Sequence, residues 1–212
     1  MKYPSACVRE RTADLVIHVL GVSGAVIAGA LLITFAAIYL DLSVTIACAL
    51  YALTMLFSFT ASALYHIHPR DEWRKFMRRL DHAAIYALIA GTFTPLLVLI
   101  GSVWAIVVLV AVWVLAVPAM VFKLVAREVE PRWSLASYLG LGWLGTLALP
   151  EFAWSLPAGA SAAIIAGGLV YTAGTFFYAR KVQSFRYAIW HGFVLAGSGT
   201  FFAAICMAAF SA

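Results

Sequence analysis

The distribution of positive charge along this chain constrains its fold more than any single motif. Apolar runs of about 20 residues, the length needed to cross a bilayer as a helix, recur seven times: Leu15–Leu40, Ser43–Tyr65, Leu80–Ile100, Ser102–Phe122, Ser134–Leu149, Ala158–Tyr178 and Tyr187–Ala209. All fourteen Lys and Arg residues then fall in alternate connections. Lys2, Arg9 and Arg11 precede the first run, and Arg70, Arg74, Lys75, Arg78 and Arg79 lie between the second and third. Lys123, Arg127 and Arg132 follow the fourth, and Arg180, Lys181 and Arg186 follow the sixth. The other connections and the C-terminus hold none. Because Lys and Arg in short loops stay on the cytoplasmic side, the pattern predicts an all-α integral membrane protein, a seven-helix bundle. Its N-terminus should be cytoplasmic and its C-terminus outside.

Composition agrees: 65% of residues are hydrophobic and 11% charged, against about 25% charged in a soluble domain. The connections are too short to hold an extramembrane domain, so residues 1–212 are expected to form one transmembrane domain with any site among the helices. The net charge of +5 is explained by orientation and anionic headgroups, and nucleic acid is not an expected partner, since no basic patch alternates with exposed aromatics. The first apolar run exceeds the 7–15 residues of a signal-peptide core and is expected to remain as a span. Cys7, Cys48 and Cys206 lack the paired spacing of a disulfide framework or a thiolate metal site. Pro95 and Pro118 are expected to kink their spans.

Ionisable side chains at membrane depth are costly and by default mark function. Here they gather near the cytoplasmic ends: Glu10, Asp14 and His18 enter span one, Ser62 and His66 leave span two, Asp81 and His82 enter span three, and His191 enters span seven. Glu10, Asp14 and His18 step by four, as do Ser62 and His66, so each set shares a helix face. His68 and His82, taken singly, read better as helix-end residues facing headgroups, whereas the common depth of His66 and His191 points to a shared polar site.

Several stretches resemble a known family. Ser62-Ala63-Leu64-Tyr65-His66, then Leu80-Asp81-His82-Ala83-Ala84-Ile85-Tyr86 and Ala90-Gly91-Thr92-Phe93-Thr94-Pro95, are similar to the motifs of the hemolysin III family, the bacterial branch of the progestin and adipoQ receptor superfamily. Glu10 through His18 and Gly21, Tyr138 through Trp143, Ala166 through Thr172 and Ile189 through Val194 continue the resemblance. It implies a zinc ion at the cytoplasmic side, held by one histidine ending span two and two histidines four apart opening span seven. A nearby serine and aspartate would position a water, a chemistry that cleaves amide bonds in lipids. By position the ligands are His66, Tyr187 and His191, with Ser62 and Asp81 as the serine and aspartate. Tyr187 departs from the family's histidine, and a deeper histidine falls on Phe201. A phenol must lose a proton of pKa near 10 to ligate, so the third place is open to Asp81 or His18, or the site has lost its metal.

Two functions follow from that resemblance. One is a protein of a bacterial plasma membrane with a degenerate zinc site, acting in membrane lipid homeostasis on a lipid-like ligand. The other is an active metal-dependent hydrolase of lipid amide or ester bonds. A cytolytic pore is disfavoured, because the outer halves of the spans offer mainly Thr, Ser and Gly where a conduit needs polar lining.

Overall fold

A computed structural model of the chain describes residues 7–67, 71–126, 131–180 and 182–211. His68, Lys2, Arg70, Arg127 and Lys181 lie outside these residues. Among the described residues eight α-helices follow one another: α1 (Val8–Tyr39), α2 (Leu42–Ile67), α3 (Arg74–Ile100), α4 (Val103–Val125), α5 (Pro131–Leu144), α6 (Leu149–Ser155), α7 (Ala158–Ala179) and α8 (Arg186–Phe210). Six of them, all but α5 and α6, are long and apolar enough to cross a membrane.

Burial is distributed as lipid demands. Leu20, Ile27, Leu31, Phe35 and Ile38 of α1 and Val107, Val110, Val114 and Leu115 of α4 are exposed, while Thr54, Ser58, Ser62, Thr92, Thr94 and Ser198 are buried. An apolar exterior of this extent would be unstable in water, and placing it against acyl chains removes the cost. The chain is therefore an all-helical integral membrane protein. Helix α3 is the central element and the most buried of the six long helices; it packs on α2, α4, α5 and α8, and α8 in turn meets α1 and α7.

Local chemistry explains the joints. The α3–α4 turn needs only Gly101 and Ser102: Gly101 takes the left-handed conformation at φ 66°, accessible to glycine without Cβ strain, and the Ser102 hydroxyl accepts a hydrogen bond from Ala105 N at 3.0 Å, capping α4. Helices α3 and α4 run on through Pro95 and Pro118.

Two expectations change. The run 134–149 is helical but not as one rod: α5 gives way to a 3-10 turn at Gly145–Ala148 and then to α6. Pro150 at the start of α6 has no N–H to carry an α-helical ladder back into α5. Its 14 residues rise about 21 Å, short of a hydrocarbon core of about 30 Å. Lys123, expected in a connection, instead sits in the last turns of α4 at 4% exposure. Its ammonium donates to the Ser134 hydroxyl and lies 5.6 Å from the Tyr138 ring centroid, the arrangement of a long cationic side chain satisfied by a hydroxyl and an aromatic face.

Candidate metal centre

The site starts on α1. The spacing of four places Asp14 and His18 one turn apart, and the His18 Nδ1 lies 2.6 Å from the Asp14 carbonyl oxygen. A carbonyl only accepts, so Nδ1 carries the hydrogen and the other nitrogen, Nε2, presents a lone pair. That Nε2 is 3.2 Å from Ser62 Oγ on α2. Ser62 Oγ is also 3.2 Å from His191 Nε2 on α8.

One turn beyond Ser62, His66 completes the group. Its ring centroid is 5.0 Å from that of His18 and 4.6 Å from that of His191, and His18 and His191 are 4.4 Å apart. One nitrogen from each ring can be chosen so that all three lie within 4.8 Å of one another. His66 Nδ1 has no hydrogen-bond partner among the described residues and faces Asp14 Oδ2 at 3.8 Å. Asp14, His18 and His66 are 3%, 5% and 6% exposed, and His191 is half-buried.

The expected residues take distinct places. Asp81, buried on α3, comes close to Ser62 and lines the same cavity. Tyr187, one turn before His191, sets its ring edge-on to His66 at 5.1 Å, while its hydroxyl accepts a hydrogen bond from Arg186 Nη2 at 2.7 Å. Phe201 packs deeper, against the Tyr171 ring. His82 lines the same cavity as Asp81 but stands outside the three-histidine group. The spacing of Glu10, Asp14 and His18 carried the signal for His18, but spacing within one helix cannot tell which face meets α2 and α8.

A metal fits this donor set. Ser62 has a single hydrogen to give, yet the His18 lone pair and the Asp81 carboxylate both lie on it, with His191 Nε2 alongside. Electron-rich atoms exceed donors there, and a cation supplies what is missing. Tetrahedral zinc with Zn–N bonds of about 2.0–2.1 Å places its nitrogens about 3.3 Å apart, so the rings need to close by about 1.5 Å at most. The donated Nδ1 hydrogen of His18 matches the outer hydrogen bond that orients metal-ligating histidines.

The cluster opens into a cavity of about 970 Å³, at the upper end of the 300–1,000 Å³ range of ligand sites. Its polar end holds His18, Ser62, His66, Asp81 and His191, and its apolar end Leu88, Phe93, Leu149, Phe152, Ile164 and Phe201.

Fold and site together define an integral membrane protein with a buried three-histidine group that could hold a metal ion, facing an amphiphilic cavity. The sequence matches the family described as Haemolysin-III related over residues 8–202, and the chain belongs to that family. It is 35% identical over 197 residues to the hemolysin-3 homolog of Bacillus subtilis (strain 168), covering 92% of both chains. It is 33% identical over 198 residues to hemolysin-3 of Bacillus cereus, covering 92% of this chain and 90% of that one.

Proposed function

We propose that this protein is a zinc-dependent hydrolase of lipid amide or ester bonds, acting from the cytoplasmic face of a bacterial plasma membrane in lipid homeostasis. The observation that carries the reading is the convergence of His18, His66 and His191 at the polar end of a long, mostly apolar cavity. His18 would take the place left by Tyr187, and Tyr187 would brace the His66 ring from outside the ligand set. Zinc held there supplies Lewis acidity toward a carbonyl oxygen. Ser62 and Asp81 would orient the attacking water, and the Asp81 carboxylate would accept its proton and return it to the departing amine or alcohol as the C–N or C–O bond breaks. The apolar cavity wall excludes bulk water and seats the chain of an amphiphile.

The broken segment 131–155 completes the bundle as a seventh crossing in this reading. Its two helices and the intervening turn rise about 40 Å together if collinear, and an odd number of crossings keeps every basic connection on one side. The relatives' names point to lysis of cells; the apolar lining of the cavity argues against a water-filled conduit as its means.

Metal analysis of the purified protein tests the reading. We expect stoichiometric zinc, lost in His18→Ala, His66→Ala and His191→Ala and kept in Tyr187→Phe. A parent without bound or bindable zinc, or a His18→Ala variant that retains it fully, would overturn this assignment. For the topology, a reporter active only outside the cytoplasm should signal when fused after Ala212 and stay silent in the 67–79 connection; both on one side would refute seven crossings.

A further inference from the structure

The mouth of the cavity carries a charge pattern that the hydrolytic chemistry leaves unused. Among the described residues that line it, Asp81 is the one acid, set close to Ser62 and within reach of the Arg78 charge, which leaves one positive charge in excess. Two guanidinium groups line the same space, Arg78 from α3 and Arg186 from the start of α8. Both side chains line one cavity although 108 positions separate them in the chain.

Arg186 is held in place. Its guanidinium carbon sits 4.6 Å from the Tyr187 ring centroid and 5.2 Å from that of Tyr178, and Nη2 donates to Tyr187 Oη at 2.7 Å. That single hydrogen bond uses one of five N–H donors. A basic residue serving only orientation would extend along the bilayer surface toward headgroups, whereas this one lies against two rings that themselves line the cavity. Arg78 is the more exposed of the two. From Arg78 to Phe93 the lining follows α3 over 15 residues, a depth of about 22 Å, and becomes apolar along the way.

Positive charge at a rim, above a deep apolar slot, is complementary to an amphiphile with a negative head. We propose that Arg78 and Arg186 form an oxyanion clamp that selects amphiphiles whose head is a carboxylate or a phosphate, the tail descending toward Phe93, Phe152 and Phe201. The planar fork of arginine matches the two oxygens of either head. The proposal rests on the reading of the cavity as a lipid site and adds the headgroup class and the residues that choose it.

The test uses full-length protein in nanodiscs of zwitterionic lipid and four probes: hexadecyl phosphate, hexadecanoate, hexadecanol and inorganic phosphate. The two anionic amphiphiles should bind at least about tenfold more tightly than hexadecanol, the scale of a hydrogen bond to a charged group. Arg186→Met and Arg78→Met should each remove most of that advantage and leave hexadecanol binding unchanged, which also shows that the variants are folded. Arg186→Lys should recover only part, because an ammonium lacks the fork. Equal affinity of the parent for hexadecanol and hexadecanoate, or variants that lose all amphiphiles alike, would overturn the clamp while leaving a lipid cavity in place. Inorganic phosphate bound as tightly as hexadecyl phosphate would make a free anion the ligand and overturn the amphiphile. If no amphiphile binds the parent at all, the lipid reading itself fails, and the clamp with it.

Discussion

The contact between Gly91 of α3 and Thr54 of α2 offers a quantitative test of how the bundle holds its site. A methyl group added at Gly91 would lie 2.0 Å from Thr54 Oγ1, 2.9 Å from Thr54 Cβ and 3.1 Å from Thr54 Cγ2. Rotating Thr54 clears the hydroxyl but breaks its hydrogen bond to the Tyr51 carbonyl, 2.9 Å long and worth about 0.5–1.5 kcal/mol. Rotation cannot move Cβ, so the helices must still part by about 0.5 Å to restore ordinary contact, and overpacking of this kind costs about 1–3 kcal/mol. The helix propensity gained on replacing glycine returns about 1 kcal/mol. Gly91→Ala should therefore destabilise by about 1–3 kcal/mol in titrations that unfold the purified protein from mild into denaturing detergent. Thr54→Ala removes two of the three clashing atoms and should recover part of that loss, giving a coupling of at least about 0.5 kcal/mol in a double-mutant cycle. Gly24→Ala, with nothing within 4 Å, is the control and should be neutral or slightly stabilising. Asp81 lies ten residues before Gly91, about 15 Å along α3, so bound zinc per protein should be unchanged. A Gly91→Ala variant as stable as the parent, or a loss indifferent to Thr54→Ala, would refute the packing argument.

Other consequences follow from named contacts. Asp14→Asn removes the carboxylate charge facing His66 but keeps the backbone carbonyl that orients His18, so zinc affinity should fall about 10- to 100-fold with the fold intact; unchanged affinity in a chelator competition would exclude a role for that carboxylate. Zinc should be retained at neutral pH and above and released once the pH falls far enough to protonate the imidazoles, because they ligate only when neutral; equilibrium dialysis from pH 8 downward gives the sign. Glu10 Oε1 accepts a hydrogen bond from Phe185 N at 2.9 Å, and Phe185 opens α8 in a left-handed conformation at φ 56°. Glu10→Ala should cost about 1 kcal/mol, and Phe185→Gly, which relieves a strain of about 1–2 kcal/mol, should offset it; a Phe185→Gly variant less stable than the parent would show that the side chain matters more than the strain.

Much of this architecture was already fixed by composition along the chain. Six apolar runs became long helices because in lipid each backbone polar group must be satisfied within its own helix, which makes a long apolar segment helical whatever its neighbours do. The faces carrying Asp14 and His18, and Ser62 and His66, were equally legible, since helical periodicity alone sets them. What depends on relative placement was not. Hydropathy over 134–149 gave no sign of the break at Gly145, and Lys123 was counted with the connections, although tertiary packing buries it on Ser134 and Tyr138. Position in a motif assigned Tyr187 to the ligand set and left His18 as an alternative. The tertiary structure brings the His18 ring within 4.4 Å of His191 from a helix 173 residues away in sequence. Periodicity orders the faces of each helix, but only the packing of α1, α2 and α8 decides which faces meet, and the third imidazole of this site exists at that meeting.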